Sequence, residues 1–96
     1  MILHTLKTSP FQTLALKNCL DILSDSDMLL LIEDGVIASS AHHDAFPQLQ
    51  ELAFENRLFV LKDDLSARGI SNKIGKESNY DDFVDLVIDC KSQMSW

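Results

Sequence analysis

Cysteine, glycine and proline are scarce in this chain, and its basic residues are outnumbered by acidic ones. Two cysteines, Cys19 and Cys90, are too few for the stapled framework of a small secreted domain, and neither belongs to a C-x-x-C pair. The three glycines, Gly35, Gly69 and Gly75, stand apart, which excludes a glycine-rich phosphate cradle. Lys and Arg number 8 against 15 Asp and Glu, a formal net charge of −7. Such a surface repels a phosphate backbone, so direct nucleic-acid binding is not expected. No apolar run approaches membrane-spanning length, and Met1 to Lys7 has neither the long apolar centre nor the small-residue cleavage site of a secretory signal. A soluble, cytoplasmic chain with reduced thiols is expected, with one domain over residues 1–96.

What is present is a series of short apolar segments. The clearest is Met28-Leu29-Leu30-Leu31-Ile32, which runs without polar alternation into Glu33-Asp34-Gly35. A run of this length fits a strand buried on both faces. Asp34 is expected to cap a short helix through Ala38. Met1–Leu6 and Arg57–Leu61 read as further strands, and Gln93–Trp96 as a short edge strand. Gly75 and Ser78-Asn79 bracket a weak segment around Ile74. Ser9-Pro10 with Gln12 has the form of a capping box opening a helix that carries Leu16, Cys19, Leu20 and Leu23 at helical spacing. Pro47–Phe54 and Tyr80–Cys90 are helical, the latter with Tyr80, Phe83, Val84 and Val87 on its apolar face and Asp81, Asp85 and Asp89 on its wet one. Asp63-Asp64 is expected to cap a short turn that Gly69 stops. Ser39–Asp44 reads as a mobile polar loop. Strands alternating with helices imply an α/β fold of flavodoxin- or Rossmann-like type: a mostly parallel sheet of four or five strands between helical layers. Ligands of such sheets bind beyond the carboxyl ends of the strands, which makes the Glu33-Asp34 turn the expected functional edge.

Few residues carry chemistry by type and spacing. Cys19 is the foremost candidate, because a thiolate can take up sulfane sulfur as a persulfide. Its mid-helix place on an apolar face equally suits a buried structural thiol. Cys90 follows Asp89, whose charge opposes thiolate formation. His42-His43-Asp44 has adjacent imidazoles but no spaced partner set, so neither a metal site nor any other cofactor is expected. Glu33 and Asp34 are consecutive and point apart, which suits capping and surface charge better than paired acid–base work. His4 has a packing or backbone-bonding role open to it. Trp96 signals burial, either against its own domain or at a partner's pocket.

Leu3-His4-Thr5-Leu6 with Ser9-Pro10, Leu29 to Val36, Asp64-Leu65 with Ala67-Arg68-Gly69, Tyr80 with Asp82 to Leu86, and Gln93 with Trp96 together resemble the DsrH/TusB family, in order and across nearly the whole chain. The resemblance implies a DsrE-like fold. It also implies a subunit of a cytoplasmic sulfur-relay complex, in which C-type and D-type sister subunits join it in a heterohexamer. That complex takes persulfide sulfur from a small carrier protein and passes it on for 2-thiolation of the wobble uridine of tRNA. In the sibling D-type subunit the relay cysteine precedes a turn similar to Leu65-Ser66-Ala67-Arg68-Gly69. By that local match its position here is Leu61, which has no nucleophile. The resemblance therefore implies a mainly structural and docking role in a sulfurtransferase complex for this chain, without catalysis of its own. A second expectation is a DsrH-type subunit of a sulfur-oxidation relay, with Cys19, which matches a cysteine in the first helix of that branch, as sulfur carrier. A third is a stand-alone acidic protein-binding module.

Overall fold

The apolar runs Met28–Leu31 and Leu58–Leu61 become strands, and the acidic residues after each turn the chain into a helix. The computed structural model describes all 96 residues. In chain order they form β1 (Ile2–Leu6), α1 (Ala15–Ile22), β2 (Met28–Leu31), a 3₁₀ helix (Glu33–Ser39), α2 (Phe46–Phe54), β3 (Leu58–Leu61), α3 (Lys62–Ala67), β4 (Lys76–Ser78), α4 (Tyr80–Cys90) and β5 (Ser92–Ser95). The five strands make one sheet in the order β4-β3-β2-β1-β5. Every pairing is parallel, so the expected α/β architecture stands, with the sheet wholly rather than mostly parallel. Leu6 pairs with Leu31 on one side of β1, and Thr5 with Ser95 on the other.

Strand side chains alternate between the two faces, and each face has its own core. Leu6, Leu29, Leu31, Leu58 and Val60 pack against Leu16 and Cys19 of α1, Val36 and Ala38 of the 3₁₀ helix, Leu49 and Leu52 of α2, and Leu65 of α3. On the opposite face Leu3 and Leu30 meet Cys90 of α4, with Phe83, Leu86 and Val87 of the same helix and the half-buried Met28, Ile32 and Phe59 around them. The unbroken apolar run of β2 is thus buried from both sides.

Several local expectations are corrected. The Ser9-Gln12 pattern does not open α1. Ser9 folds a local turn, its Oγ accepting from the Phe11 N–H (3.1 Å) and its carbonyl from Gln12, and the helix begins only at Ala15, where Thr13 Oγ accepts the Ala15 N–H. Asp34 caps nothing: no side chain bonds the start of the 3₁₀ helix from its N-cap, and Asp34 pairs with Arg68 instead. Nor do Asp63 and Asp64 cap α3; both lie inside its first turn. The expected mobile loop is pinned. Ser39 is fully buried with its hydroxyl donating to the Val36 carbonyl, and His43 Nε2 bonds the Ala38 carbonyl at 2.8 Å. The weak fourth segment forms its strand at Lys76–Ser78, beyond Ile74. On α4, Tyr80 and Val84 face outward, because the helix turns Phe83, Leu86, Val87 and Cys90 to the sheet.

Candidate functional site

The carboxyl ends of β1, β2 and β3 meet around the Glu33-Asp34-Gly35 turn. Glu33 sits at φ 50°, a left-handed conformation that β2 imposes as it turns into the 3₁₀ helix. Gly35 follows against β1 so closely that a Cβ there would lie 2.1 Å from the Leu6 carbonyl oxygen. Only glycine fits that approach. The Glu33 N–H donates to Asp64 Oδ2 (2.7 Å), so a carboxylate from α3 satisfies a donor that the turn's own residues leave free. Arg68 Nε donates to Asp34 Oδ1 (2.9 Å), and its Nη1 lies 3.6 Å from Asp64. Arg68 with Asp34 and Asp64 therefore braces the 3₁₀ helix against α3. Asp34 and Asp64 are engaged in structure, and the exposed Glu33 carboxylate makes no side-chain bond, so the turn does not set an acid–base pair.

Beside this edge an open cleft of about 340 Å³ separates the β1–α1 connection from the loop before α2, with Phe11, Leu14, Lys17, His42 and His43 among its lining residues. His43 stands edge-on to Phe11 and Phe46 and uses Nε2 on the Ala38 carbonyl, while His42 is exposed. The two imidazoles do not converge. No thiol lines the cleft.

Cys19 lies elsewhere, fully buried beneath α1. Burial, and secondarily the nearby negative Asp27, pushes its thiol from 9.0 up to about 12. At neutral pH it is protonated and enclosed, the reverse of the exposed thiolate that sulfur acceptance uses. Cys90 is buried on the other side of the sheet, its thiol also raised, first by burial and then by Asp89. The sheet between them keeps the two thiols apart. Leu61, at the end of β3, is buried as well.

A buried polar network went unread in the sequence. Asp27 closes the α1–β2 turn and accepts from the Ile2 N–H (2.9 Å), the Ser24 N–H (3.1 Å) and His4 Nε2 (3.0 Å). Its carbonyl accepts from Arg57 Nε at 2.8 Å. Burial alone would raise this carboxyl, but the hydrogen bonds from His4, Ser24 and Ile2 outweigh it and hold Asp27 well below the usual carboxylate range. The other nitrogen of His4, Nδ1, receives the Trp96 indole N–H at 3.0 Å. Indole can only donate, so Nδ1 carries no proton, and the ring proton sits on Nε2 facing Asp27. Trp96 thus packs on its own domain, stacked on His4 and tied to β1 through its N–H to the Thr5 carbonyl. The only hints were an acid just before an apolar run and a histidine inside a strand.

Comparison with known proteins bears on the chain as a whole. A family model described as DsrH, DsrH like protein, matches residues 8–93. The chain is also similar to "Protein TusB" of Erwinia tasmaniensis, 40% identical over 98 aligned positions that cover 99% of this chain and 100% of that protein. "Protein TusB" of an Enterobacter species is 38% identical and that of Pectobacterium parmentieri 36%, each with the same coverage.

Proposed function

This chain belongs to the DsrH family, and from that premise we propose that it is a subunit of a heterohexameric sulfur-relay complex in the cytoplasm, with C-type and D-type sister subunits as its partners. The complex passes persulfide sulfur between carrier proteins toward 2-thiolation of the tRNA wobble uridine. In each transfer an acceptor thiolate attacks the outer sulfur of a donor persulfide, the acceptor becomes the persulfide, and the donor leaves as thiolate. One observation carries the division of labour: both thiols of this chain are buried and shifted toward their protonated form. The nucleophile is therefore assigned to a partner. This chain completes the assembly and shapes the surface on which carriers dock.

The competing reading makes Cys19 itself the carrier in a sulfur-oxidation relay. Intact mass after incubation with a persulfide donor separates the two. The structural reading expects no sulfur adduct on the isolated chain. An adduct lost in Cys19→Ser and kept in Cys90→Ser would establish Cys19 as a carrier. Co-expression with both sister subunits tests membership itself, for a chain that stays monomeric beside them is not a relay subunit.

A further inference from the structure

Helix α4 leaves an apolar row uncovered. Tyr80, Val84 and Ile88 recur at i, i+4 and i+8, which places them in one line along the helix. They are 58%, 55% and 66% exposed. The next row around the helix is Asp81, Asp85 and Asp89, all exposed and none in an ion pair. Asp82 is not part of this row: it closes a capping box with Asn79, through bonds of 3.0 and 2.8 Å. No basic residue occurs in α4; the nearest in sequence is Lys91, just past its end. The helix therefore has three longitudinal strips: one buried on the sheet, one bare and apolar, and one acidic.

From this pattern we infer that the Tyr80-Val84-Ile88 row of α4 is the docking surface for a protein partner whose contact strip is apolar and bordered by Lys or Arg. A second copy of this chain does not fit. An antiparallel pairing of two such rows would bring the aspartate strips of two chains, each of net charge −7, alongside one another, and like charges so placed oppose association. A basic border meets the same strip with attraction, and the apolar row supplies the desolvated centre that such contacts need. The inference rests on the relay-subunit reading, in which the partner is one of the sister subunits.

The test uses co-expressed sister subunits, with assembly followed by light scattering and affinity by titration. Val84→Asp with Ile88→Asp is expected to weaken association by about tenfold or more. Asp81→Lys, Asp85→Lys and Asp89→Lys together should weaken it comparably and remove the salt dependence of the wild type. Hydrogen exchange on the wild-type complex needs no substitution: residues 80–89 should gain protection on assembly. Wild-type affinity in either variant, tighter binding by the lysine variant, or unchanged exchange over α4 overturns the surface. Failure of the wild-type chain to associate at all overturns the relay-subunit reading, and the surface falls with it.

Discussion

The two faces of the sheet are built to different standards. One lies under α1, the 3₁₀ helix, α2 and α3 around a twelve-residue core, while the other has α4 alone over three buried residues. The first face is closed by its own chain. The second leaves Met28, Ile32 and Phe59 half-buried at its margins and an apolar row on the outer side of its helix. A 96-residue domain has little surface to spare for burial, and a partner that covers an incomplete face adds stability the chain cannot supply alone. The closed side carries the larger core, and the open side carries the row proposed above as a docking surface.

The sharpest way to break the contrast is to damage the polar tie of the closed side. His4→Ala empties a fully buried ring site, removes one donor to Asp27 and the acceptor of the Trp96 indole, and should cost about 3–5 kcal/mol, read by urea denaturation. The same variant moves the acid limb. A carboxyl held low in the folded state stabilises above its ordinary pKa of about 3.9, and that stability is lost as pH falls through the folded value. Without the His4 bond the folded value rises toward the ordinary one, so the pH-dependent loss should be smaller than in the wild type and complete at a higher pH. Gly35→Ala comes next, at about 3 kcal/mol, because the new methyl meets the Leu6 carbonyl, which already accepts the Ile32 N–H and cannot retreat. A thermal melt measures it, and a drop smaller than 1 kcal/mol would mean that the turn relaxes. At the far end, Ile88→Ser on the open side should change the stability of the isolated chain by no more than about 0.5 kcal/mol. A larger loss would show that α4's outer row supports the fold itself.

Much of the architecture was legible because it rests on local signals. The apolar runs of β2 and β3 and the period of α4 each act over a few residues, and the strand–helix alternation implies the parallel sheet. The acidic caps failed because their partners come from a distance. Asp64 serves the Glu33 amide across 31 positions, and Asp34 was drawn to Arg68 across 34, so no neighbouring residue could announce either bond. The outer row of α4 was misjudged for a related reason. Periodicity finds an apolar arc, but the arc is wider than the strip a single helix can bury on a sheet. Of the site, Cys19 was visible as a residue, whereas its enclosure and the charge of Asp27 beside it come from tertiary packing.

The place of β5 has a kinetic consequence. The β1–β2 ladder closes a loop of about 25 residues, whereas bringing Thr5 to Ser95 closes one of 90. The longer closure carries about 1 kcal/mol more entropy loss. The strand that gains from it is four exposed residues, Ser92–Ser95, held on one side only. On closure entropy β5 is expected to join the sheet after the β1–β2 ladder has formed, with Trp96 as its clasp. The lone tryptophan of the chain is accordingly expected to report optically on the docking of β5 rather than on the first collapse, which stopped-flow fluorescence set beside far-UV circular dichroism would check.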